Sequence, residues 1–211
     1  ISVQNWSAPV EVRTSRGEVK VRQVKRGPVL VFCPDCRVDA AQIEAPLRVI
    51  GGTGNVRLES VTSKQVYIET SSGLIEARNV WGEQLYVSAL GNVSAERLIG
   101  AVEFHLKKGS FRLKNGEGAL SGRSEQGEIE ASFSAWKAAD KSIIETTTGN
   151  IHLLLPREFS GELEISSPLD KTTFKSEGFL ADLESQKDSN SASRAVSREA
   201  GALGTQRWFL G

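Results

Sequence analysis

The chain of 211 residues balances 26 Lys and Arg against 26 Asp and Glu, so no whole-molecule field draws it to nucleic acid or to an anionic membrane. None of its apolar runs reaches the roughly 20 residues that cross a bilayer as a helix, which leaves no transmembrane segment in this chain. It contains no Met, which points to a mature form whose signal peptide has been removed.

Taken in order, short turns close on Gly17, Gly54, Gly73, Gly91, Gly109, Gly127 and Gly149, at intervals of 37, 19, 18, 18, 18 and 22 residues. The first interval is twice the others, and Cys36 stands where the missing turn falls. Two residues after each turn come Val19, Val38, Val56, Ile75, Val93, Phe111, Ile129 and Ile151, and four residues after come Val21, Ala40, Leu58, Ala77, Ala95, Leu113, Ala131 and Leu153. Period-two alternation recurring at a fixed interval predicts short strands with one buried face, stacked coil on coil. One coil cannot cover its own inward side chains, so neighbours above and below must do so. The fold class expected is all-β, a single β-solenoid (β-helix-like) of eight to nine coils with a period near 18 residues, spanning 1–174. At about 4.8 Å between strands, eight coils make a rod about 40 Å long. The corner glycines are expected to serve a positive φ.

Outward residues three after each turn, Lys20, Asp39, Arg57, Glu76, Ser94, Arg112, Glu130 and His152, form a ladder of mostly alternating sign. It reads as a solvated face that sets register. Beyond Gly127 the extra residues fit an excursion around Trp136, a candidate contact residue that would otherwise pack back on the body. A further strand is expected within 159–166. Residues 175–204 are rich in Ser, Ala and charge and read as a mobile loop. The terminal strand 205–211 then caps one end of the rod, and Trp6 helps to cap the other.

The sharpest local motif is Cys33-Pro34-Asp35-Cys36. A thioredoxin-like site needs a helix after the first Cys, but the alternation continues through Arg37 to Ala40. A zinc site needs two more ligands, and only His105 and His152 remain, distant in sequence. Two ends of a β-turn lie within disulfide reach, so the pair reads first as a structural disulfide; reduced thiols and a redox or metal role are the alternatives. A closely spaced pair with no odd thiol suits an oxidising compartment. The sequence has no nucleophile elbow, phosphate-cradling loop or paired His motif, and both His read as strand residues. It predicts no enzyme, no cofactor and no metal.

The phrases Ile68-Glu69-Thr70-Ser71-Ser72-Gly73-Leu74-Ile75-Glu76-Ala77 and Ile144-Glu145-Thr146-Thr147-Thr148-Gly149-Asn150-Ile151, the latter followed by Leu-Leu-Pro, resemble the bacterial adhesin-like repeat family, an envelope β-solenoid of unknown function. The resemblance covers roughly Val10 to Ser166, and the Cys turn and polar tail depart from it. It implies an extracytoplasmic repeat protein of the periplasm or cell surface and brings no catalytic residues. The function expected is a non-catalytic adhesin-like, structural or protein-binding module with a protein partner in the envelope. The alternative is a solenoid enzyme or binding protein acting on envelope or extracellular polysaccharide. A sensor whose tail responds to a partner is a third reading.

Overall fold

The computed structural model describes residues 1–136, 142–156 and 161–166, together with the backbone of the strands Thr172–Ser176, Ser185–Gln186, Arg194–Ala195 and Gln206–Leu210. Every described element is a strand, and the strands form a parallel β-solenoid of about eight turns with a period near 18 residues. Consecutive coils pair in register: Val56 lies beside Ile75, Ile75 beside Val93, and Val93 beside Phe111. The inward columns named above line the core, with Val19, Val38, Ile75, Phe111, Ile129 and Ile151 fully buried.

Each coil is three-sided. Along Ile75–Ala89 the inward residues are Ile75, Ala77, Val80, Gly82, Leu85, Val87 and Ala89, and the alternation slips at the outward pairs Arg78–Asn79 and Glu83–Gln84. Each slip is a corner, and the turn around Gly91 makes the third. The first face follows the turn, a short second face carries Val80 and Trp81, and the third face, Leu85–Ala89, returns to the next turn.

The three corners are built differently. At the first slip one residue per coil adopts the left-handed conformation without being glycine: Asn5, Gln23, Gln42, Ser60, Asn79, Arg97 and Asn115, with φ between 52° and 57°. Four of the seven are Asn or Ser, and Asn tolerates this region best among residues with a side chain. The second slip carries a glycine column that the turn alignment does not contain: Gly82, Gly100 and Gly118, headed by Ser63. A Cβ on Gly82 would lie 2.9 Å from the Ser63 carbonyl oxygen, and one on Gly118 would lie 2.8 Å from the Gly100 carbonyl carbon. The coil that starts at Val93 loses one residue here, where the register shifts between Trp81 and Gln84, and the coil before it loses one at its turn, where Ala89 stands two residues before Gly91 while Thr70 stands three before Gly73.

The turn glycines depart from expectation in their reason for being glycine. Gly17, Gly73, Gly109 and Gly127 do take positive φ, but Gly54, Gly91 and Gly149 do not. What six of them share is proximity: a Cβ on Gly54, Gly73, Gly91, Gly109, Gly127 or Gly149 would run into the backbone of the turn one coil earlier. Gly17, the first of the column, has nothing within 4 Å. Turns stack backbone on backbone, and the missing side chain is what lets them close.

The end of the regular core also differs from a simple repeat. Gly116 occupies the inward position seven after its turn, and the ring of Phe133 fills the space beside it, so that a Cβ on Gly116 would lie 2.8 Å from that ring. Counted from its turn, Phe133 falls where earlier coils carry the left-handed residue, but it turns inward and pairs with Gly116, with irregular register from Leu113 to Glu117. Trp136 meets Phe133 edge-on, ring centroids 4.7 Å apart, and is buried. It therefore packs on the body of the rod and is not offered at the surface. Further up, Phe104 and Phe111 stack at 4.3 Å, and Phe104 stands over Gly122. Large rings in one coil are matched by glycine in the next.

The strand Ser2–Trp6 lies on Lys20–Val24 at one end, with Trp6 49% exposed. At the other end Thr172–Ser176 continues the parallel stack on Ile151–Leu155, and Gln206–Leu210 runs antiparallel to Gly161–Ile165. The expected loop 175–204 lies outside the described residues apart from Lys175, Ser176 and the two short paired strands Ser185–Gln186 and Arg194–Ala195.

Candidate functional site

Because inward positions are committed to the core, whatever the rod does with partners falls to its outer columns. The first face carries the expected charge ladder: Lys20, Asp39, Arg57, Glu76, Ser94, Arg112, Glu130 and His152 are successive register partners. Only Arg112–Glu130, at 3.3 Å, pairs straight down this column. Arg22–Asp39 (3.2 Å) pairs diagonally, and Lys20–Glu18 (2.8 Å) and Arg57–Glu59 (3.4 Å) pair within a coil. Such exposed pairs contribute a few tenths of a kcal/mol each, so this face is charge-balanced and mostly self-satisfied. Side-chain amides add to the register: Asn55 and Asn92 each accept a hydrogen bond from a backbone N–H of the next coil, Leu74 at 3.0 Å and Ser110 at 2.8 Å.

Near the far end of this face lies a depression of about 370 Å³, with Lys114, Glu130 and His152 at its rim. It opens where Ser132 inserts between coils, accepting from Asn115 N–H at 3.2 Å. His152 is a rung of the ladder between Glu130 and Thr173. Among the described residues no three of His, Cys, Asp and Glu are grouped to hold a metal ion.

Cys33 and Cys36 are joined in a disulfide, Cα to Cα 5.6 Å, and both are buried. Cys36 pairs in register with Gly17, and Cys33 with Gly51. The bond therefore closes one turn within a single coil, with its sulfurs turned into the rod. Between them Asp35 is held by Arg16 at 3.2 Å and by the hydroxyl of Thr53 at 2.8 Å. The inward column through Cys33 runs on through Gly51, Thr70, Ala89, Leu106, Ser124 and Thr146. In the coil that closes on Gly91 this column falls on Ala89, two residues before the glycine, whereas Thr70 and Leu106 stand three before Gly73 and Gly109. Ser124 and Thr146 donate to the carbonyls of Gly109 and Gly127, at 3.4 and 3.3 Å.

The third face is different in kind. One outward column reads Glu11, Leu30, Arg48, Tyr67, Tyr86, Glu103, and the column beside it reads Arg13, Phe32, Ile50, Glu69, Ser88, His105. Tyr67 and Tyr86 stack at 4.9 Å with planes 11° apart. Arg48 lies over the other side of Tyr67, 4.8 Å from the ring centre, and His105 is tilted against Tyr86 at 5.8 Å. Tyr67 donates its hydroxyl to Glu69 at 2.9 Å, and that bond to an anion, then partial burial, holds the phenol above its ordinary 10.0. Toward the rod's start the same face hollows into a groove of about 720 Å³ beside Pro9, Pro28 and Pro46. Phe32 is 40% exposed next to it. The alternation signal in the sequence registers only that these positions point outward; that the aromatics and the prolines each fall into one column follows from the coil register.

A parallel β-solenoid with three-sided coils, self-paired charges on one face and an aromatic and apolar strip on another defines a rigid repeat module. Residues 7–200 match the Toastrack DUF4097 family, and the chain belongs to that family. No curated protein and no solved structure matches it. The repeat-family resemblance of the turn phrases is established in this form, without the adhesive role attached to it. Among the described residues no helix is long and apolar enough to cross a membrane.

Proposed function

We propose that this chain is a non-catalytic module of the bacterial envelope, extracytoplasmic, that binds a protein through its third face and so serves an adhesive or scaffolding role. The observation that carries this reading is the strip of half-exposed Leu30, Phe32, Ile50, Tyr67 and Tyr86 on one rigid sheet. Aromatic residues clustered on a flat, preorganised surface favour protein contacts at low entropic cost. The buried disulfide supports an oxidising compartment.

The polysaccharide alternative is less well supported by the same strip. Sugars pack against the flat side of an aromatic ring, and here those sides are taken: Tyr67 and Tyr86 cover one another, with Arg48 and His105 on the outer sides. A capture experiment separates the two readings. Immobilised chain is incubated with envelope extract beside a Leu30→Glu, Phe32→Glu variant that melts like the parent. Proteins retained by the parent and lost with the variant are the expected result. Retention of purified cell-wall glycan by the parent, undiminished after protease treatment, would refute protein binding as the role of this face.

A further inference from the structure

The groove at the start of the third face has a composition specific enough to name its occupant. Its floor is a column of prolines: Val10 N–H donates to the Pro28 carbonyl at 2.9 Å and Val29 N–H to the Pro46 carbonyl at 2.8 Å, so Pro9, Pro28 and Pro46 stand one coil apart with their rings exposed. Gly27 lets the chain press against Pro9, since a Cβ there would lie 2.8 Å from the Pro9 ring. Prolines have no N–H, so this floor offers apolar surface and no backbone donors. Addition of a hydrogen-bonded strand over it is excluded, and an occupant must be held by side chains.

Charge then selects the occupant. Glu11, the carboxylate in the groove, is engaged by Arg13. Arg48 in the same groove lies on the Tyr67 ring and has no carboxylate partner among the described residues. Over residues 1–51 there are eight Lys and Arg and five Asp and Glu. Glu11, Glu18, Asp35 and Asp39 are all paired, and Arg37 stands beside Glu18, which leaves Glu44 against Lys25, Arg26 and Arg48. Lys25 and Arg26 sit exposed at the corner leading into Pro28. Three coils at about 4.8 Å make the groove long enough for some three or four extended residues.

We propose that this groove binds an extended acidic peptide segment of a partner protein, an apolar side chain seated on Pro28 and Leu30 and a carboxylate taken by the Arg48 guanidinium. The guanidinium fork matches a carboxylate in two parallel hydrogen bonds, and its stacking on Tyr67 orients it in advance. The proposal rests on the protein-binding reading above and gives that reading a ligand class.

The probe is a capped, dye-labelled hexapeptide, Leu-Glu-Pro-Glu-Leu-Glu, read by fluorescence anisotropy against the full chain, with the Lys-for-Glu peptide as control. Saturable binding of the acidic peptide is expected, weakened about tenfold or more by Arg48→Gln, abolished by Arg48→Glu, and reduced by added salt. Leu30→Asp, which puts a like charge on the floor one strand from Arg48 and competes for its guanidinium, is expected to weaken it as well. Equal binding of the acidic and lysine peptides would overturn the proposal, as would unchanged affinity in Arg48→Glu. So would anionic-lipid vesicles or a polyanionic glycan binding where the acidic peptide does not. If the peptide fails while the Leu30→Glu, Phe32→Glu variant still loses its envelope partners, the groove assignment falls and the protein-binding reading stands. If both fail, both fall.

Discussion

Three alanine substitutions separate the two reasons a solenoid turn needs glycine. Gly17 takes φ +111° and has open space around it; Gly91 lacks positive φ, but its Cβ would strike the Gly73 carbonyl; Gly109 has φ +103° and would place a Cβ 2.6 Å from the Gly91 carbonyl carbon. Forcing an alanine into the left-handed region costs about 1 kcal/mol. Pushing two stacked turns apart costs about 1–3 kcal/mol in strain. At Gly109 the opening also loosens the bonds that knit the corner, such as Gly109 N–H to Gln126 O at 2.9 Å and Ser110 N–H to Asn92 at 2.8 Å, at about 1 kcal/mol each. The expected losses are therefore about 1 kcal/mol for Gly17→Ala, about 1–3 for Gly91→Ala and about 4–6 for Gly109→Ala. Urea denaturation followed by far-UV circular dichroism measures them, with melting falling by roughly 2–4 °C per kcal/mol for a chain of this size. A Gly91→Ala variant no less stable than Gly17→Ala would refute backbone contact between turns as the reason for the column.

Other consequences are open to the same measurement. The double variant Cys33→Ala, Cys36→Ala should lose about 2 kcal/mol, the entropy of a very short closed loop, while keeping acidic-peptide binding, because the sulfurs are buried in the rod and the groove lies on the outer side of the strand; a loss of binding would contradict that separation. Tyr67→Phe should flatten the alkaline limb of stability. The folded phenol titrates above the free one, so its contribution is intact below the ordinary tyrosine range and disappears as pH rises through the folded value, and urea midpoints across about pH 8–11 should fall less in the variant. Arg97→Asn should gain about 0.5 kcal/mol by placing a residue tolerant of φ 55° at that corner. Trp136→Ala should cost about 3–5 kcal/mol, as for a large ring removed from a core; an unchanged melting temperature would mean that the Phe133 contact contributes nothing.

The repeat was legible because burial enforces it: a one-residue slip exposes a whole strand, so the residues two and four after each turn have to be apolar. The turn column, the charge ladder and the disulfide pair all follow from that count. Glycine at a turn implies a need for positive φ, and only the stacking of turn on turn shows why Gly54, Gly91 and Gly149 are glycine too. The second glycine column lay in plain view at Gly82, Gly100 and Gly118, two equal steps of 18, but a register anchored on one glycine per coil hides it. Asn5, Gln23, Gln42, Asn79 and Asn115 likewise recur at coil spacing, an amide-rich signal for the left-handed corner. Where volume is exchanged between coils, Gly116 for Phe133 and Gly122 for Phe104, local pattern carries no information, because the compensating atoms belong to a different turn. The same limit hides the groove: Pro9, Pro28, Pro46 and Arg48 become neighbours only once the coils are stacked.

The disulfide also has a mechanical meaning. Strands lie across the rod, so the hydrogen bonds between coils point along its length, and tension between the two ends loads them one coil at a time. Each coil released lengthens the chain by about 60 Å at full extension. Because Cys33 and Cys36 are three residues apart, the bond shortens that extension hardly at all and ties no coil to another. A tethered rod of this design yields in steps of one coil and winds up again from whichever coils remain.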